Sequence, residues 1–147
     1  MDNARCPFEK VILGTHGNCQ KSTRFSMAQQ MGVACVSDIA RNNCLIFLGL
    51  MRDRARFALK VTSTAGDLPF GKEMKVMVGG LLGLQRLLIA KGEHDVNKVE
   101  DIHALVAQAQ AVYGGLESLP YPEIMQSIAA FKTKRRGSIP PGSAPLR

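Results

Sequence analysis

Apolar residues recur at steps of seven and four through Ile39, Ile46, Leu50, Phe57 and Val61, while Arg41, Asn42, Arg52, Asp53 and Arg56 fall on the other side. This spacing predicts the longest helix of the chain, over about residues 37–61, with Ser37 or Asp38 as N-cap. Gly49 lies inside it, at a cost of about 1 kcal/mol. A second amphipathic pattern places Val99, Ile102, Val106, Ala109 and Tyr113 on one face. Asn97 and Glu100 stand in a capping-box relation before it, and Gly114-Gly115 stops it. Between these two, Gly79-Gly80 opens a compact apolar helix from Leu81 to Ala90 that buries Leu81, Leu84, Leu87 and Leu88 and ends at Lys91-Gly92. A last helix follows Pro120, with Pro122 in its first turn, an apolar face of Ile124, Ile128 and Phe131, and a basic end at Lys132 to Arg136 that suits the helix dipole.

Weaker patterns fill the remainder. Ser22 caps a short helix carrying Phe25, Ala28 and Met31, stopped by Gly32. Glu9 to Leu13 reads as a short strand or turn, Gly14 to Asn18 as a loop, Thr62 to Gly71 as a turn, and Glu73 to Val78 as extended. The expected fold is mainly α: a single-domain bundle of four to five helices over residues 1–136, with an irregular Cys-containing N-terminal segment. An irregular basic, Pro-rich tail over 137–147 completes it.

Composition adjusts this picture in two ways. Over 147 residues, 46% are hydrophobic and 21% charged, enough for a buried core without disulfides or metal. The net charge of +7 favours an acidic partner: a protein surface, nucleic acid or anionic lipid. Much of the excess is C-terminal, because no acid follows Glu123 while Lys132, Lys134, Arg135, Arg136 and Arg147 do. No apolar run is long enough for a membrane span, and no secretory signal precedes Cys6, so a cytoplasmic protein with reduced thiols is expected.

Against that background the cysteines stand out. Cys6, Cys19, Cys35 and Cys44 are all the cysteines in the chain, spaced C-x12-C-x15-C-x8-C. Random placement would put all four within the first 44 residues roughly one time in a hundred. Brought to one point, four thiolates hold a metal: zinc, with Zn–S bonds of about 2.3 Å, or an iron–sulfur cluster. The close C-x2–4-C pairs of structural zinc sites are absent, which favours a larger [4Fe-4S] cluster. His16, three residues before Cys19, is the alternative ligand. The competing reading keeps the cysteines as separate, metal-free thiols, some buried as small hydrophobes.

Other motifs carry less. His94 and His103 read as surface residues. Gly14 to Asn18 lacks the G-x4-G-K-[ST] pattern of a phosphate loop. Gly79 to Gly83 opens a helix where an anion could dock, although a turn and close helix packing explain its glycines more simply. Lys132 to Arg136 suits phosphate contacts or an acidic protein partner, without a recognised nucleic-acid module upstream.

The expected protein is therefore a small iron–sulfur protein. It acts in electron transfer or as an accessory subunit of a larger redox enzyme, with no catalytic residues of its own. The alternatives are a metal-free helical adaptor and a nucleic-acid-binding, redox-responsive regulator.

Overall fold

The computed structural model describes residues 5–28, 30–58, 70–89 and 97–131. A short helix α1 (Glu9–Leu13) is followed by strands β1 (Ser22–Met27) and β2 (Gln30–Cys35) and the long helix α2 (Asp38–Ala58). Then come α3 (Phe70–Met74), a π-helical turn (Lys75–Gly79), α4 (Gly80–Leu88), α5 (Ile102–Tyr113), a 3-10 turn (Leu116–Ser118) and α6 (Tyr121–Ala130). The fold is mainly helical with one small sheet. Among the described residues no helix is long and apolar enough to cross a membrane.

The N-terminal third differs most from the periodic reading. Glu9 to Leu13 is a helix rather than a strand, and it buries Val11 and Ile12 together with the preceding Phe8. Five residues are too few for a helical period to show. Tertiary contact holds α1: Glu9 Oε2 accepts the Val33 backbone N–H at 2.8 Å. The helix expected from Ser22 to Met31 is an antiparallel hairpin, with Ser22 paired to Cys35 and Met27 to Gln30. Gly32, expected as a helix stop, faces Phe25 across the sheet, and a Cβ there would come within 2.2 Å of Phe25 Cζ. An aromatic ring laid over a strand glycine is a sheet device, and a helical reading of Phe25 and Met31 cannot anticipate it.

Helix α2 begins as expected, Ser37 Oγ accepting the Ala40 N–H at 3.1 Å. Its buried face is rotated from the expected one. Cys44, Phe47, Leu48, Met51 and Ala55 face the core, whereas Ile39 is 77% and Ile46 43% exposed. Two apolar stripes compete on this helix, and the stripe that meets Phe8 and the C-terminal helices wins. Phe8 and Phe47 pack with ring centroids 6.3 Å apart. Val61 and the Phe57 side chain lie outside the described residues.

Residues 73–78, expected as extended, are helical: α3, the π turn and α4 continue as one rod, with Met74, Gly79 and Gly80 all in right-handed helical conformation. Gly79, Gly80 and Gly83 let the rod approach its neighbours. A Cβ on Gly79 would lie 2.7 Å from the Ile128 Cα, and one on Gly83 2.7 Å from Ser127 Cβ. Lys75, from the π turn, donates to the Ala129 and Phe131 carbonyls at the end of α6. The expected stop at Lys91-Gly92 lies outside the described residues; α4 itself ends at Leu88.

Helix α5 buries Ile102, Leu105, Val106 and Ala109, and Gly114 closes it at φ 84° in the left-handed region. Its N-cap is Asp101 rather than the Asn97 box. Helix α6 starts at Tyr121 with Pro122 in its first turn and buries Ile124 and Ile128. The Tyr121 hydroxyl donates to the Leu116 carbonyl at 2.7 Å. The basic segment 132–136, the tail and His94 lie outside the described residues.

Candidate functional site

Each cysteine is positioned by a different element. Cys6 precedes α1 and is tied to the edge of β2, its N–H donating to the Val33 carbonyl at 2.9 Å. Cys35 ends β2, and its Sγ donates to the Ser37 carbonyl at 3.2 Å. Cys44 lies two turns into α2 on the buried face. Cys19 sits in the loop between α1 and β1, half-buried, its carbonyl accepting from the Ser22 N–H and hydroxyl at 3.1 and 2.7 Å. All four thiols are free of disulfides.

The Cys19 loop is stitched to the start of α5. Asn18 N–H donates to the Val99 carbonyl at 2.9 Å, and Ile102 N–H to the Asn18 carbonyl at 2.8 Å. The Gln20 N–H donates to Asp101 Oδ1 at 3.0 Å. The Asp101 side chain therefore serves this loop and does not cap the backbone of its own helix, while its Oδ2 lies 3.8 Å from His103 Nε2. The His103 N–H, in the first turn of α5, is directed at the Cys19 sulfur together with the Lys21 N–H. Cys6 receives the Phe8 N–H in the same way. Asp101 and His103 are the site residues that sequence spacing missed. They lie more than 80 positions from Cys19, and a helix-cap role accounts for an Asp there equally well.

Burial is the main influence on the thiols of Cys6, Cys19 and Cys44. Burial pushes the Cys44 thiol up to about 12, and charge on Cys6, Cys19 and Cys35 acts in the same direction. Burial likewise pushes Cys6 up to about 12, opposed by the Phe8 N–H and reinforced by Cys19, Cys35 and Glu9. Cys19 is raised by burial, opposed by the Lys21 and His103 N–H groups and reinforced by Asp101 and Cys35. Charge on neighbouring cysteines thus acts in the same direction as burial at Cys6, Cys19 and Cys44. His16 is directed elsewhere, its ring packed edge-on against Phe131 with centroids 5.8 Å apart.

Among the described residues, no three or more His, Cys, Asp or Glu side chains are grouped so as to hold a metal ion. The backbone N–H groups directed at Cys6 and Cys19 favour thiolate, but burial outweighs them and the unliganded fold favours the protonated form.

The raised thiols carry a prediction for the chain with its cysteines unliganded. Because the fold favours the protonated form, folded protein binds more protons than unfolded protein above the ordinary thiol value of 9.0. Stability is fully present below about pH 9 and falls as pH rises toward 12, with the buried Tyr121 hydroxyl, also raised to about 12, adding to the loss. From Cys6 and Cys44 alone the decline between about pH 8 and 10 is on the order of 2 kcal/mol. Urea midpoints measured across this interval should fall, and Cys44→Ala should flatten the slope; an unchanged slope in that variant would contradict the assignment.

Comparison of the chain with protein-family models, curated proteins and solved structures finds no match.

Proposed function

We propose that Cys6, Cys19, Cys35 and Cys44 hold a [4Fe-4S] cluster, and that the protein acts in electron transfer or as an accessory subunit of a larger redox enzyme. The observation supporting this reading is that every cysteine of the chain falls within residues 6–44, Cys6, Cys35 and Cys44 buried and Cys19 half-buried. The wide chain spacing, without the close C-x2–4-C pairs of structural zinc sites, favours a cluster over zinc.

When bound, the cluster supplies one-electron chemistry. The chain's own groups set how readily it does so. N–H donors from Phe8, Lys21 and His103 spread negative charge away from sulfur and ease reduction, whereas the carboxylates of Glu9 and Asp101 oppose it. Half-buried Cys19 is the most exposed of the four sulfurs and the shortest exit for an electron. The net charge of +7 suits an acidic redox partner.

Anaerobic purification tests the proposal. A brown protein with broad absorbance near about 400 nm and about four irons per chain is expected, with the colour lost in Cys19→Ser and in Cys44→Ser. Colourless protein carrying about one zinc would replace the cluster with a structural ion. Protein free of both metals after anaerobic reconstitution with iron and sulfide would end the proposal.

A further inference from the structure

A cleft of about 630 Å³ opens beside Cys6, walled by the segment 5–10, by α2 and by the rod that includes α3. This volume lies in the range of small-molecule sites. Its lining carries four cationic side chains, Arg5, Lys10, Arg41 and Arg52, against two carboxylates, Glu9 and Glu73. Both carboxylates are already engaged. Glu9 holds Arg5 at 3.2 Å and accepts the Val33 N–H, and Glu73 holds Arg52. Those contacts fix two guanidinium planes at the cleft wall. Arg41 meets Asp38 at 3.0 Å, but the Asp38 side chain is 90% exposed and competes weakly for it against a ligand in the cleft. Pro7, Leu45 and Met77 add an apolar surface, Leu45 being 51% exposed.

We propose that this cleft binds a small organic oxyanion, a carboxylate or phosphate ester with a short apolar body. Guanidinium groups match the planar or tetrahedral oxygen array of such a head group, and their fixed orientation lowers the cost of binding it. Leu45 and Met77 take the hydrocarbon part. The assignment does not draw on the cluster reading, although Cys6 also lines the cleft.

Isothermal titration calorimetry on the purified full chain tests it with phenyl phosphate, benzoate, inorganic phosphate and benzyl alcohol. Saturable one-to-one binding of phenyl phosphate or benzoate is expected, with inorganic phosphate about tenfold weaker and no detectable heat from the neutral alcohol. Arg41→Gln should weaken phenyl phosphate at least about tenfold. Leu45→Asp, at an exposed position that keeps the fold, should abolish binding while thermal melting stays unchanged. Arg24→Gln, on β1 and outside the cleft, should change affinity less than about twofold. Equal loss in Arg24→Gln, binding of benzyl alcohol as tight as that of the anions, or no saturable heat with either organic anion would overturn the assignment.

Discussion

Arg52→Ala lowers the stability of the folded chain by about 3–5 kcal/mol, the largest loss expected from any single surface-reaching side chain here. Arg52 reaches from α2 to Glu73 on α3, its Nε donating to Oε1 at 3.2 Å and its Nη2 to Oε2. The arginine remains 34% exposed, whereas the Glu73 side chain is only 5% exposed. Truncation therefore removes the partner from the group that has least access to water. The cost is mainly that of an uncompensated buried charge, more than the value of the pair itself. Urea denaturation of Arg52→Ala, Glu73→Gln and the double variant separates the two. The double variant should recover at least half of the loss; a single-variant cost below about 1 kcal/mol would mean that water reaches Glu73.

Gly79→Ala and Gly80→Ala, adjacent and chemically identical changes, should differ by about 1–3 kcal/mol. Both glycines are helical, so alanine gains about 1 kcal/mol of propensity at either. At Gly79 the new methyl meets backbone, 2.7 Å from Ile128 Cα and 3.0 Å from the Ser127 carbonyl oxygen, and α6 must move. At Gly80 it meets the Met51 side-chain tip, Sδ at 2.1 Å, and a thioether with three rotatable bonds can swing aside. Gly79→Ala should thus destabilise by about 1–3 kcal/mol and Gly80→Ala remain near neutral. Equal urea midpoints for the two variants would show that α6 is not held against the rod at Gly79.

The same two glycines show how partial information passes from sequence to structure. Their adjacency signalled a special backbone, and the reading as a helix opening was natural because Leu81 begins an apolar run. The structure carries the helix back through them to Phe70, with a π turn at Lys75 to Gly79. An extra residue in one helical turn leaves no periodic trace in five positions, and only the docking of α6 on the glycines gives it a reason. The α2 stripe failed in a related way. Ile39 and Ile46 satisfy a seven-residue step as well as Cys44, Phe47 and Met51 satisfy three- and four-residue steps, and local spacing cannot choose between them. Phe8, brought in by the hairpin and α1, makes the choice.

The cysteines divide similarly. Their clustering and their wide spacing were visible at once. Nothing in the spacing located Asp101 or the His103 N–H beside Cys19, because that contact depends on α5 returning across the α1–β1 loop.

Sequence alone determined that the chain is mainly helical, where α2, α5 and α6 lie within a few residues, that Gly114 stops α5, and that every thiol falls in one N-terminal stretch. These follow from local causes: helical period, capping, and the left-handed freedom of glycine. Only tertiary structure decided that residues 22–35 pair as strands, which face of α2 is buried, how the rod meets α6, and that the Cys19 loop is stitched to the start of α5. Each of these depends on what a segment packs against, and the energy of burying one face in preference to another belongs to the assembled core rather than to any stretch of the chain.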